Sequence, residues 1–355
     1  MSAFEKSKAI IFERPNKAVV KEIKLPPVDD ETVVVKTVYS GISSGTEMKV
    51  YQGLTGPCDG EIWYPLVPGY EGVGEVIYAG KNTMLTATGE KLKVGDRVMA
   101  NEVRYYPEYC AAWGGQIEYA IKNPKTSPAP FDKCAKIPDN VSYQEAVVSY
   151  LAAVAKKGID KVGINHGETI LIIGMGVIGL SAIQLAKLKG AGKVIAMDIR
   201  ANRLSLAKKY TDYLVDSSKP NYIQELKDMT DGKLADVVME CSGDAESASQ
   251  TYKYIRDGGW EKDDDGGRIH LQGDYPPMEQ VTLYPYQRWF VTNVRISLTC
   301  AVKPGNKEEM LQLISSGKFD AKNLYTKEVS IDAAPKAYEE LKKHRYEILK
   351  ILFKW

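Results

Sequence analysis

Several things are scarce in this sequence. It has no run of 18 apolar residues, which excludes a membrane-spanning helix. Neither sign of charge prevails: 47 Lys and Arg stand against 46 Asp and Glu, a formal net charge of +1, and this argues against a nucleic-acid partner. The 5 cysteines (Cys58, Cys110, Cys134, Cys241 and Cys300) are odd in number, widely spaced and without a CxxC pair. That pattern does not make a disulfide framework, and a reducing cytoplasm is the expected compartment. The opening residues Met1 to Lys6 lack the apolar core and cleavage site of a secretory leader. Internal repeats and low-complexity segments are absent too. What remains is a chain of 355 residues, 44% hydrophobic, with enough apolar material for a large core and a length that suits two or three domains.

The texture changes along the chain. Up to about residue 150 the apolar residues come in short, mostly β-branched runs: Ala9 to Phe12, Ala18 to Val20, Val33 to Val38, Gly74 to Tyr78 and Asp96 to Met99. This predicts a β-rich domain over residues 1–149 with long loops and little helix. From Glu145 to Lys157 the apolar spacing turns helical. Thr169 to Ile173 is then an unbroken apolar strand, as found where a parallel sheet is covered on both faces. Helix 177–190, strand 194–197, helix 201–209, strand 213–215, helix 220–229, strand 236–239, helix 244–255, strand 268–271 and a closing strand 294–298 follow in alternation. They predict an α/β domain over 150–298, a doubly wound parallel sheet of the Rossmann type. Residues 299–355 are expected to form helices at 305–316 and 334–344 and a strand at 348–352 that returns to the first domain.

The strongest local signal is Gly174-Met175-Gly176-Val177-Ile178-Gly179, a GxGxxG turn between a buried strand and a helix. Gly174 allows the tight turn, Gly176 lets backbone approach a pyrophosphate, and Gly179 lets the helix pack on the strand. The helix N-terminus offers unpaired N–H groups and partial positive charge to the phosphates. Asp198, beside Ile199, ends the next strand 19 residues after Gly179. A carboxylate there accepts from the adenosine ribose hydroxyls and repels a 2′-phosphate, so NAD is expected over NADP. Arg200 and Arg203 leave a second reading open, in which one of them meets a 2′-phosphate or stacks on adenine. Loops at the carboxyl ends of later strands line such a crevice, which adds Cys241 and Ser242 after the fourth strand and Leu271, Gln272 and Gly273 at the fifth.

Three further motifs extend the pattern: Ser40-Gly41-Ile42-Ser43-Ser44-Gly45-Thr46-Glu47, Pro65-Leu66-Val67-Pro68-Gly69-Tyr70-Glu71-Gly72-Val73-Gly74-Glu75-Val76, and Lys93-Val94-Gly95-Asp96-Arg97-Val98. With the fingerprint they make nearly the whole chain resemble the medium-chain dehydrogenase/reductase superfamily, the alcohol and sorbitol dehydrogenase type. The resemblance implies a GroES-like catalytic domain built from both chain ends, a Rossmann domain between them and a substrate cleft at their junction. It also implies zinc ligands, and here the sequence departs from the family. Ser44 stands where the first ligand is a Cys, Tyr70 where the second is a His, and Ser149 near a further ligand; Glu71 alone keeps its type. Only Cys110 remains where the family has a four-cysteine lobe, and the 3 histidines (His166, His270, His344) lie far apart in sequence. Zinc wants thiolate, imidazole and carboxylate ligands, so a zinc-independent member with no metal site is expected. The Ser-Gly-Thr-Glu form is most similar to the zinc-less branch that contains bacteriochlorophyllide hydroxyethyl dehydrogenase; the branch carries over and its pigment substrate does not.

Without zinc, hydride transfer needs another group beside the substrate oxygen. By the resemblance, Thr46 holds the proton-relay position and Lys49 stands where a relay His is common. A partly desolvated Lys49 is expected to serve as base or alkoxide stabiliser; alternatively it is solvated or binds the pyrophosphate. Tyr70 either donates to the substrate oxygen or plugs the emptied metal hole. Ser44 extends the relay, and Glu71 orients a neighbour or pairs with a buried cation. Tyr51, Trp63 and Trp113 are candidates to shape a substrate pocket. The expected function is NAD-dependent oxidation of a secondary alcohol, of polyol, sugar or cyclitol type, to a ketone. The alternatives are NADPH-dependent reduction of an activated C=C bond or quinone, and a non-enzymatic NAD-binding protein. The expected partners are a small alcohol or ketone and further copies of the chain, as a homodimer or homotetramer, with the apolar strand 294–298 as a pairing edge.

Overall fold

The computed structural model describes residues 4–55, 62–83, 85–126, 133–258 and 265–355; Cys58 lies outside them. The chain divides into two compact units, residues 1–150 with 302–355, and residues 151–301.

The first unit opens with β1 (Lys6–Arg14), β2 (Lys17–Lys24), β3 (Val33–Gly41), α1 (Thr46–Gln52), β4 (Leu66–Val67), β5 (Gly72–Ala79), β6 (Arg97–Met99), β7 (Cys110–Ala111), β8 (Tyr119–Lys122) and β9 (Ala135–Lys136). The boundary between the units falls within α2 (Tyr143–Val162). The short helix α1 has no counterpart in the sequence pattern, because seven residues between Gly45 and Gly53 are too few for a 3.6-residue period to register. Gly53 closes it in the left-handed region (φ 76°), where a side chain would be strained.

The second unit alternates strictly: β10 (Thr169–Ile173), α3 (Val177–Leu188), β11 (Lys193–Asp198), α4 (Ala201–Ala207), β12 (Tyr213–Asp216), α5 (Tyr222–Met229), β13 (Val237–Glu240), α6 (Ala245–Ser249), β14 (Arg268–Leu271), α7 (Tyr286–Val291) and β15 (Arg295–Leu298). Its six strands form one parallel sheet in the order β12-β11-β10-β13-β14-β15. Chain order therefore reverses direction between β10 and β13, the switch point at which doubly wound sheets bind ligands. Leu171, Ile195, Val238 and Ile269, one from each central strand, are fully buried. The helix expected over 244–255 stops at Ser249 and passes into a 3₁₀ turn, Thr251–Lys253. Ser249 and Thr251 donate to the carbonyls of Ala245 and Ala248, and such side-chain bonds compete with the helical ladder.

The chain then rejoins the first unit as α8 (Asn306–Ser315), β16 (Lys327–Ser330), α9 (Ala334–Lys343) and β17 (Ile351–Lys354). The tail strand begins three residues later than its apolar run suggested: Ile348, Leu349, Ile351, Leu352 and Phe353 are all buried, so the run has no alternation to mark its start. β17 pairs antiparallel with β3 and parallel with β16, in a seven-stranded sheet ordered β16-β17-β3-β5-β6-β9, with β8 also on β3. A four-stranded sheet, β2-β1-β4-β7, completes the unit. No helix among the described residues is long and apolar enough to cross a membrane.

Candidate functional site

In the second unit, Gly174 follows β10 with φ 89°, and a Cβ there would lie 2.7 Å from the Ser242 backbone. A Cβ on Gly179 would lie 1.9 Å from the Gly174 carbonyl oxygen, so helix and turn touch through bare backbone. Gly176 differs: its Cβ position has no atom within 4 Å. It caps α3 without a side-chain hydrogen bond, leaving the first-turn N–H groups of Val177 and Ile178 uncapped by side chains beneath open space. Asp198 accepts from the Met175 N–H at 2.7 Å and from the Arg200 N–H at 2.9 Å. Those bonds fix its carboxylate at the turn, and each oxygen keeps a second lone pair. Ile199 and Arg200 are exposed beside it, whereas Arg203 lies on the buried face of α4. An open amide cradle with an anchored carboxylate at the next strand end fits a dinucleotide.

The loops after β13 and β14 meet at a residue the sequence reading passed over. Glu240, at the end of β13, is fully buried. Its Oε1 accepts from the Ser242 N–H (2.9 Å), the Ser242 hydroxyl and the Ser247 hydroxyl (3.4 Å), and its Oε2 accepts from the Tyr275 hydroxyl (2.7 Å). Burial pushes its pKa up, against these four donors. Burial and then the Glu240 charge push the Cys241 thiol up as well. Gln272 is buried; its Oε1 meets His270 Nε2 at 3.2 Å and accepts from Thr299 at 3.1 Å. Leu271 is buried and Gly273 packs against the Glu240 carboxylate.

In the first unit a second cluster forms where β3, α1, β5 and the C-terminal elements converge. The Tyr70 hydroxyl donates to Ser43 Oγ at 2.6 Å, and Thr46 hydrogen-bonds the same phenol. The partner is thus Ser43, not Ser44. Ser43 is the one turned inward, with its N–H 3.3 Å from Glu47 Oε2. Ser44 is half-buried beside it, and Lys49 is half-buried one helical turn after Thr46. Burial is the main reason the Tyr70 pKa lies far above that of a free phenol, with the Glu71 charge adding to it. Tyr70 packs edge-on against Trp113, with centroids 5.2 Å apart, and against Tyr150 at 5.2 Å. Trp63 is half exposed, while Tyr51 is buried in the core, stacked on Tyr338 at 5.3 Å.

Beneath this layer lie two buried carboxyls. Glu47 accepts from the Tyr338 hydroxyl, from Gln116 Nε2 (3.2 Å) and from the Ser43 N–H, and burial pushes its pKa to about 7. Glu71 pairs with Lys350 at 2.6 Å, with side chains 0% and 1% exposed. Lys350 also donates to the Ile42 carbonyl at 3.1 Å. Burial raises the Glu71 pKa, and Lys350 opposes that rise. Sequence reasoning missed Ser43, Glu47, Tyr338 and Lys350; Lys350 is 279 residues from its partner, and no local signal could have joined them.

The donor chemistry here does not suit zinc. Tyr70 and Ser43 are bonded to each other, Ser149 donates to the Ala146 carbonyl within α2 at 2.7 Å, and Glu71 is engaged by Lys350. Among the described residues no three His, Cys, Asp or Glu side chains group closely enough to hold a metal ion.

Residues 29–138 match the family described as alcohol dehydrogenase GroES-like domain, and residues 177–316 the family described as zinc-binding dehydrogenase. An uncharacterized zinc-type alcohol dehydrogenase-like protein of Haemophilus influenzae is 29% identical over 98% of both chains. A probable D-xylulose reductase A of Aspergillus clavatus is 28% identical over 88% of this chain and 87% of its own. Among solved structures, an Escherichia coli oxidoreductase/dehydrogenase of unknown specificity superposes with a TM-score of 0.82 at 22% identity, covering 98% of this chain and 99% of that one.

Proposed function

The chain belongs to the medium-chain dehydrogenase/reductase superfamily, and from that premise we propose that it oxidises a secondary alcohol of polyol type to a ketone with NAD, without catalytic zinc. The observation that carries this reading is the open cradle over Gly176, with uncapped helix amides below it and Asp198 tied to Met175 at its edge. Gly174 to Gly179 would hold the pyrophosphate, Asp198 and its neighbours the adenosine ribose, and Cys241, Ser242 and Leu271 to Gly273 the other half of the dinucleotide. When bound, NAD supplies the hydride acceptor. A xylulose reductase among the relatives supports the polyol class. The zinc-type name of the Haemophilus relative is set against a ligand set that has lost its thiolate and imidazole.

Raised as it is, the Tyr70 hydroxyl stays protonated across the physiological range, so it donates hydrogen bonds and does not act as the base. Thr46 and Lys49 are left as the route by which the hydroxyl proton departs. Glu47 fixes Ser43 through its N–H, and Ser43 fixes the phenol. We propose further that copies of the chain associate through β15, at the edge of its sheet with Ile296 and Leu298 39% and 58% exposed. Light scattering would report that association.

The deciding experiment titrates NAD and NADP against the protein and assays alcohol, polyol and enone panels beside metal analysis. Turnover of a polyol with NAD and no stoichiometric zinc is expected. One equivalent of zinc per chain, enone reduction with NADPH, or failure to bind either dinucleotide would overturn the reading.

A further inference from the structure

Glu240 is a buried carboxylate with no counter-cation among the described residues. All four groups that bond it are neutral donors: one N–H and three hydroxyls. An ionised carboxylate is an acceptor only, and one backbone N–H with three hydroxyls, each able to donate, supplies what it requires. Among the described residues no Lys, Arg or His lies within ion-pair distance of it. Holding a charge in such a site costs free energy that its hydrogen bonds must offset.

Its place in the fold says what the charge faces. A doubly wound sheet binds a dinucleotide as two mononucleotide halves, one on each side of the switch point. Asp198, at the end of β11, marks the adenosine half. The nicotinamide half therefore falls to the ends of β13 and β14, which Glu240 ties together. It holds Ser242 on one loop and Tyr275 on the other, and Gly273 packs so closely that a Cβ would come within 2.9 Å of its carboxylate oxygen. Ser242 in turn abuts Gly174 of the phosphate turn.

We propose that Glu240 sets the redox preference of the cofactor site, its fixed negative charge favouring the oxidised, cationic nicotinamide over the reduced, neutral one. This rests on the dinucleotide reading above and deepens it. It gives the enzyme a direction, because a site that holds NAD⁺ tightly and releases NADH readily suits alcohol oxidation. Even about 12 Å from a cationic ring, a unit charge at an effective dielectric of about 20 changes affinity roughly tenfold.

The test compares Glu240→Gln with wild type in direct binding of NAD⁺ and NADH by calorimetry. Gln keeps the shape and removes the charge. The ratio of dissociation constants, NAD⁺ over NADH, is expected to rise about tenfold, with NADH binding much less affected. Glu240→Asp, which keeps a carboxylate and loosens the same loops, is expected to leave the ratio in place. If the Gln variant fails to fold, the wild-type ratio is followed down in pH, and a rise as the carboxylate is neutralised takes the place of the variant. An unchanged ratio in Glu240→Gln, an equal change in Glu240→Asp, or a pH-independent wild-type ratio where Gln does not fold overturns the proposal. Failure of the wild type to bind either nucleotide overturns the dinucleotide reading itself, a distinct result.

Discussion

Replacing Lys350 by Met should unfold the first unit more readily, and by a predictable amount. The amine and the Glu71 carboxylate are 2.6 Å apart and at most 1% exposed. Removing one partner leaves the other charge buried without compensation, at a cost of about 3–5 kcal/mol. For a domain of about 150–250 residues, each kcal/mol shifts the melting temperature by about 2–4 °C, so a fall of about 6–20 °C is expected. The pH dependence gives the sign. Lys350 holds the Glu71 pKa down against burial, so its removal sends that pKa further above the unfolded value. A carboxyl whose folded pKa exceeds its unfolded pKa loses stability as pH rises through the interval between them. The deficit of Lys350→Met should therefore shrink on acidification towards the ordinary carboxyl pKa of 4.5. Thermal unfolding followed by circular dichroism at several pH values measures both quantities. The double variant Glu71→Met, Lys350→Met should recover most of the loss, because an apolar pair of similar volume needs no compensation. A loss under about 1 kcal/mol, as for an exposed pair, or a double variant no better than the single one, would refute the reasoning.

Glu47→Gln should flatten part of the stability–pH curve. With its folded pKa at about 7 against an ordinary 4.5, Glu47 costs about 3 kcal/mol, a penalty that develops between those pH values and stays constant above them. Denaturant unfolding of both proteins across that range should show the wild type falling more steeply. Tyr70→Phe should lower kcat about a hundredfold with little change in KM, and adding Ser43→Ala should cost little more because the two hydroxyls act as one unit; additive losses would separate them. Gly176→Ala should melt like wild type, since its Cβ meets open space, yet lose at least about tenfold in NAD affinity. Gly179→Ala should instead lower the melting temperature, because its Cβ would strike the Gly174 carbonyl oxygen at 1.9 Å.

What the amino-acid order determined by itself is local. The turn from Gly174 to Gly179 was legible because a tight turn, an open approach and a close helix packing each demand glycine within six residues of a buried strand. The alternation from β10 to β15 was legible because strands covered on both faces read as continuous apolar runs. Tertiary structure alone decided which of two adjacent serines meets Tyr70, since neighbours of one residue type read alike and only the packing of Ser43 against Glu47 tells them apart. It alone joined Glu71 to Lys350 and Glu47 to Tyr338, pairs 279 and 291 residues apart. It also gave Glu240 its setting, because the donors around that carboxylate come from loops that only the parallel pairing of β13 with β14 brings together. Periodicity and turn chemistry act over a few residues, whereas the environment of a buried charge is set by whatever the sheet order places beside it.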